Sequence, residues 1–323
     1  MRSGAAAAGA PRSSHSKQRP SAEEAGTMKD FAGRTAFITG GASGIGLGLA
    51  RACVAEGMKV AIADIREDSL DAAMAVLDNQ QVMPVKLDVA SRAGFAEAAD
   101  RVEAQMGPVS LLFNNAGINL FLPIDESSYD DWDWVLGVNL HGVINGVMTF
   151  VPRMKERGGN AWIVNTASMA SFLAGPSPGI YNCSKFAVRG LSESLRYSLA
   201  PHNIGVSVLC PGLVKSTIYE SEKVRPPELA QTGKKVDPAF MEQLARVHDV
   251  GMDPDEVAAK TLAAIRANRF YIFPHPEFKE ELKEVFDEII AAFPEGEADA
   301  QRAAFEKGRR DRYREARLAA RGD

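Results

Sequence analysis

The chain has 323 residues, 46% of them hydrophobic, enough for one large domain with a sizeable core. Its net charge of −5, with no basic block long enough to follow a phosphate backbone, excludes nucleic acid as an expected partner. Three scattered cysteines and five dispersed histidines show neither a disulfide framework nor zinc-ligand spacing, so a reducing cytoplasm is the expected compartment.

Residues 1–27 are mostly Ala, Ser, Gly, Pro and Arg without apolar periodicity and read as a disordered extension. They lack the apolar core of a secretory signal, and Glu23 and Glu24 fit the other reading, an Arg- and Ser-rich transit peptide, poorly. The folded part is expected over 28–293. Strand-like runs at 35–39, 59–63, 82–87, 109–113, 161–165, 204–209 and 270–273 alternate with helical stretches near 45–56, 67–79, 91–106, 129–157, 181–200 and 254–268. Such alternation predicts an α/β domain: a doubly wound parallel sheet of about seven strands with helices on both faces. Continuous apolar strands such as Ala161-Trp162-Ile163-Val164 suit a sheet buried on both sides. The most apolar helical run, 135–151, is broken by Asn139, His141 and Asn145 and reads as a buried helix, not a membrane span. Residues 211–253 interrupt the rhythm with Pro226-Pro227, Gly233 and mixed charges, and such an insert is expected to be a functional loop or lid. A helix near 276–293 and a charged, helix-prone tail over 294–323 finish the chain.

The first strand runs into Thr39-Gly40-Gly41-Ala42-Ser43-Gly44-Ile45-Gly46 and then directly into a helix. Glycines there let the backbone approach a pyrophosphate, and the helix N-terminus offers free N–H groups. Asp64 closes the second strand, where a dinucleotide fold places an acid to hydrogen-bond ribose hydroxyls. A carboxylate there repels a 2′-phosphate and the turn carries no Arg or Lys, so NAD is favoured over NADP, with Arg66 the one nearby cation that opposes this.

Further on, Tyr181 and Lys185 stand four apart at the start of a helical stretch and so share a face. A free tyrosine titrates near pH 10, and forming its phenolate at pH 7 costs about 4 kcal/mol. A neighbouring ammonium lowers that cost, which would suit Tyr181 as a general base. Alone, such a pair is weak, since any amphipathic helix can carry one by chance. Cys183, between them, is expected to face away and pack. His275 reads as a loop residue, and Met148, Met154 and the Phe and Trp residues near 132–150 read as core or interface.

With these residues in place the chain resembles the short-chain dehydrogenase/reductase family over about 31–273. Five motifs fall in order. The 39–46 turn looks like the family's cofactor turn (Gly40, Ser43, Gly44, Ile45, Gly46). Asp88-Val89 matches its adenine contact, and Asn114-Asn115-Ala116-Gly117 its fourth-strand motif. Asn139, Ser168, Tyr181 and Lys185 match its catalytic tetrad, and Pro211-Gly212, leading to Val214 and Ser216, its nicotinamide-facing turn. A threonine common four residues after that glycine is Ser216 here, with Thr217 beside it.

The resemblance implies a Rossmann-type fold and an NAD(P)-dependent oxidoreductase that interconverts a secondary alcohol and a ketone. Tyr181 would move the proton, Lys185 would tune it and hold the nicotinamide ribose, and Ser168 would bind the substrate oxygen. Asn139 would bind a water linking Lys185 to solvent. It also implies a small-molecule alcohol or ketone as partner and a homodimer or homotetramer built on the helices at 129–157 and 181–200, while charge and hydropathy lead to the expectation of neither nucleic acid nor membrane. Residues 129–134 and 151–154 look closest to a bacterial branch that includes dehydrogenases of lignin-derived aryl ethers. Phe121, Leu122, Met169, Phe172, Leu173 and the 213–250 loop are expected to line an apolar pocket for an aromatic or bulky substrate. Two other readings share the glycine turn: a silent dinucleotide-binding regulator, and a methyltransferase, in which the Tyr–Lys pair would have no role.

Overall fold

The computed structural model describes residues 28–78, 80–229 and 237–319; the expectation of disorder over 1–27 falls outside them. Seven parallel strands form one sheet: β1 (Thr35–Thr39), β2 (Lys59–Asp64), β3 (Val82–Lys86), β4 (Val109–Asn114), β5 (Ala161–Thr166), β6 (Ile204–Leu209) and β7 (Tyr271–Ile272). Their spatial order is β3-β2-β1-β4-β5-β6-β7. The chain builds outward from β1 to β3, then crosses back to add β4 on the other side. A crevice opens at that switch point, beyond the carboxyl ends of β1 and β4.

Each strand feeds two cores because its side chains alternate. In β1, Ala36 and Ile38 join Leu49 and Cys53 of α1 (Gly44–Ala55) and Leu262 and Ile265 of α8 (Pro254–Arg266) on one face. Phe37 points the other way, where its ring lies 5.9 Å from Phe95 of α3 (Arg92–Met106) and 5.0 Å from Phe150 of α5 (Gly142–Glu156). The sheet is thus covered on both sides, as its apolar strands require.

The stretch near 129–157 is not one uniform helix. It comprises α4 (Tyr129–Leu136), a π-helical turn (Gly137–His141) and α5. Ser128 starts it with a reciprocal cap, its side chain accepting from Asp131 N while the Asp131 carboxylate accepts from Ser128 N. By length and composition this 28-residue stretch could cross a membrane, but half of its apolar window is buried in the fold. Phe150, Val151 and Met154 are core, whereas Met148 is exposed. The next helix, α6 (Gly179–Leu199), begins two residues earlier than its apolar spacing suggests.

The insert expected as a loop carries its own structure: 3₁₀ turns at Ile218–Val224 and Pro227–Leu229, then α7 (Pro238–Asp249). After β7 come α9 (Lys279–Ala291) and α10 (Ala300–Ala319); α9 has no buried residue, and the Tyr313 ring of α10 lies 6.4 Å from Tyr197 of α6.

Candidate active site

The carboxyl ends of β1, β4 and β5 are laced together by side chains. Thr39 Oγ1 accepts from the main-chain N–H groups of Asn115 (2.9 Å) and Ala116 (3.0 Å). The Asn115 amide donates to Thr39 O at 3.1 Å and accepts from Thr166 Oγ1 at 3.3 Å. One step deeper, Asn114 donates to Asn165, which donates to Ser192 of α6. Asn114 Oδ1 has no recorded partner, but the other bonds of this network fix the spacing of the loops above.

Those loops wall a cleft of about 810 Å³ that runs the length of the carboxyl edge. Gly40, Ser43, Gly44, Ile45, Asp64, Asp88, Val89, Asn115, Ala116, Gly117, Ser168, Tyr181, Lys185, Pro211, Gly212, Val214 and Ser216 all line it, and Thr217 joins them. Two expected residues do not. Gly46 lies under the turn, where a side chain would collide with the Gly40 carbonyl, so its part is to let α1 approach β1. Asn139 is fully buried.

The residues fit a dinucleotide. Gly40 and Gly44 sit at φ 61° and 48°, a region that favours glycine, and leave bare backbone at the start of α1. A Cβ on Gly117 would stand 3.4 Å from both Lys185 Nζ and Asn139 Oδ1, narrowing the floor beside the lysine. Asp64 accepts from Arg66 N at 3.1 Å and Ala42 N at 3.4 Å, and burial outweighs these bonds to raise its carboxyl above the usual range. The Arg66 fork is already taken by Asp68, at 3.2 and 2.8 Å.

Tyr181 and Lys185 share one face of the first turns of α6, with Nζ 5.4 Å from the phenol ring centroid. Ser168 Oγ accepts from Ala170 N at 3.1 Å and also hydrogen-bonds the Tyr181 phenol. The expectation of an acidified phenol needs correction in the ligand-free protein. Burial raises the Tyr181 pKa, and the Ser168 bond opposes this only in part. Burial also pulls Lys185 down to about 8, while Nζ donates to Thr166 O at 2.9 Å. Burial shifts both groups toward their neutral forms, though a lysine near 8 still holds its proton at pH 7.

Asn139 sits in the π turn with both amide hydrogens spent, on Ile118 O (2.9 Å) and Ser184 Oγ (3.1 Å), while its Oδ1 accepts from Ile118 N at 2.8 Å. Its side chain therefore clamps the chain just after Gly117. π turns are over-represented at such sites because the extra residue re-aims a side chain.

Other expectations divide. Phe121, Met169, Leu173, Leu213 and Val247 line the cleft. Leu122 instead packs beside Trp134 and Ile180, and Phe172 lies under the Arg189 guanidinium at 4.3 Å. Cys183 is exposed rather than packed, because the outer face of α6 has no neighbour there. Three residues were missed. Asn145 donates to Val89 O at 2.8 Å and pins the loop holding Asp88, which its place as a polar break in an apolar helix could have signalled. His248 of α7 lines the cleft with Nδ1 on Leu244 O at 2.8 Å. His275 is buried against the Pro211–Val214 turn, and a histidine before proline carries no signal of that.

A short chain dehydrogenase family model matches residues 34–226. The C alpha-dehydrogenase of Sphingobium sp. (strain NBRC 103272 / SYK-6) is 39% identical over 279 residues, covering 85% of this chain and 92% of that protein. This agrees with the branch likeness seen in residues 129–134 and 151–154. A short-chain dehydrogenase structure from Novosphingobium aromaticivorans is 57% identical with a TM-score of 0.80, covering 91% of this chain and 100% of that one. A short chain dehydrogenase/reductase from Burkholderia phymatum in complex with NAD is 38% identical with a TM-score of 0.78, covering 84% of this chain and 100% of its own. The family model alone spans more than half of the sequence, and the chain belongs to the short-chain dehydrogenase/reductase family, as an oxidoreductase of CH–OH groups that uses a nicotinamide dinucleotide.

Proposed function

We propose that the protein interconverts a secondary alcohol and its ketone with NAD as the preferred coenzyme, on a substrate with an apolar or aromatic body. The observation that carries this reading is the convergence of Ser168, Tyr181 and Lys185 on one wall of the cleft, beside the bare Gly117 floor. Bound NAD supplies the hydride acceptor and, when oxidised, a positive charge that favours the phenolate. Tyr181 then takes the carbinol proton, and Ser168 Oγ steadies the substrate oxygen as charge develops. Lys185, held by Thr166 O and with a pKa near 8, can carry the proton onward at neutral pH. Asn139 supports the set by holding Ile118, and with both amide hydrogens spent, a water on Asn139 would be held by its main-chain carbonyl.

Support for NAD comes from Asp64 at the ribose end, whose carboxylate would repel a 2′-phosphate, while Arg66 directs Nε and Nη2 at Asp68. Trp134, Met169, Leu173, Val224, Leu229 and Phe278 give the substrate end its apolar walls. Three free cysteines suit a cytoplasmic setting, and the exposed apolar residues Met148 and Phe186 suit self-association through α5 and α6.

The test is absorbance of the reduced nicotinamide with a panel of secondary alcohols. Tyr181→Phe is expected to lose turnover by about 10³-fold while its NAD dissociation constant changes little. Normal turnover in that variant would remove the phenol from the chemistry. NAD binding without turnover of any alcohol by the wild type would favour the silent regulator.

A further inference from the structure

The Pro211–Val214 turn lines the cleft beside Ser168, and three of its main-chain atoms, Pro211 O, Gly212 N and Leu213 O, have recorded partners. Pro211 O accepts from Met169 N at 2.9 Å and from Ser168 Oγ at 3.4 Å. Leu213 O accepts from Met252 N at 2.9 Å. The remaining brace is a single imidazole. Gly212 N donates to His275 Nδ1 at 3.0 Å, and His275 Nε2 lies 2.9 Å from Leu213 O. Since Nδ1 must accept, Nε2 carries the hydrogen and donates to Leu213 O; one neutral tautomer satisfies both bonds. His275 is only 4% exposed. Phe278, three residues on, lies against Gly212 so closely that a Cβ there would collide with its ring, and Phe278 and Glu281 both reach the cleft.

We propose that His275 is a positioning residue for hydride transfer, holding the Gly212–Leu213 backbone at the position from which the turn supports the nicotinamide. This rests on the nicotinamide reading of the cleft. The residue lies well outside the 34–226 region that matches the family model, in the segment that follows the edge strand β7. The segment after the last strand of the sheet would thus act on the site through His275, which does not itself line the cleft. No other side chain among the recorded contacts bonds both Gly212 N and Leu213 O. Without the imidazole, two neighbouring main-chain groups lose a partner and the turn gains freedom where small displacements slow a reaction steeply.

Three variants separate the bonds. His275→Leu removes both, His275→Asn can still accept from Gly212 N, and His275→Gln can still donate to Leu213 O. With NAD and a deuterated secondary carbinol, His275→Leu is expected to lose about tenfold or more in kcat, with a primary isotope effect larger than that of the wild type. Asn and Gln should each recover part of the loss. A merely structural defect would lower the active fraction and leave the isotope effect and KM unmoved, so that result overturns the proposal, as does wild-type kcat in His275→Leu. The NAD dissociation constant, read by fluorescence, gives a second arm that needs no turnover. His275→Leu should bind NAD several-fold more weakly, and equal binding also counts against the role. If the wild type binds NAD normally but oxidises no carbinol, the function reading fails and the binding arm still judges His275.

Discussion

The role proposed for Lys185 would come at the expense of the fold. Its ammonium is buried, and burial lowers its pKa from 10.5 to about 8. Between those values the unfolded chain holds a proton that the folded one has shed, so unfolding takes up a proton and raising the pH favours the native state. At pH 7 both states are charged, and the native state carries a burial penalty of about 3 kcal/mol. Lys185→Met is therefore expected to abolish turnover while being at least as stable as the wild type at pH 7, with the advantage vanishing toward pH 10; denaturant melts at the two pH values check this. Asp64 makes the complementary case for specificity. Asp64→Ala should raise kcat/KM for NADP relative to NAD by about tenfold or more, measured with both coenzymes on one alcohol, and a wild type that already prefers NADP would defeat the carboxylate argument. The residues legible in the sequence were those with strong local pattern, Gly40 to Gly46, Asp64 and the Tyr181–Lys185 pair. His275 was not legible, because its meaning lies in two bonds to residues 63 and 62 positions away.

At the scale of elements, strands and crossover helices could be read because apolar periodicity and burial coincide in a sheet covered on both faces. The insert could not. α7 begins at an Asp237 cap followed by Pro238, a proper start signal, but His248 is its one buried residue, so its apolar spacing is not matched by burial as it is in the crossover helices. What anchors the segment before it is polar. Arg225 donates to Asp131 at 2.7 Å, to Glu222 at 2.9 Å and to Leu229 O at 3.0 Å, with its guanidinium 4.2 Å from the Trp134 ring centre. Burial pushes the Asp131 carboxyl upward, yet the Ser128 bonds and Arg225 together bring it below the ordinary range. The native pair is therefore present at neutral pH and lost as pH falls through that lowered value. Arg225→Leu is expected to cost about 3 kcal/mol, since it leaves a buried carboxylate without its cation. Hydrogen exchange should then quicken over 218–229, and KM for the alcohol should rise more than kcat falls.

For the whole molecule, the seven-stranded sheet brings residues from 40 to 281 to one edge, so the cleft is complete only when nearly all of the described fold is in place. α10 stands apart from that requirement. No residue recorded for it is buried, and its recorded approach to the body is at Tyr197. Truncation after residue 295 is therefore expected to leave the melting temperature within about 2 °C and kcat unchanged, since exposed helices with few tertiary contacts add little to global stability. A larger drop would assign the tail a role in assembly, which light scattering on the truncated chain would read.

The π turn at Gly137–His141 carries one residue more than an α-helical path would need. A chain shortened by one there could close into an ordinary helix, with the segments on either side keeping their phase against the sheet. Asn139 would nevertheless lose its seat opposite Ile118. At this point the architecture would tolerate a deletion that the proposed seat of Asn139 would not, so the count of residues, independently of their identity, would itself be part of the site's specification.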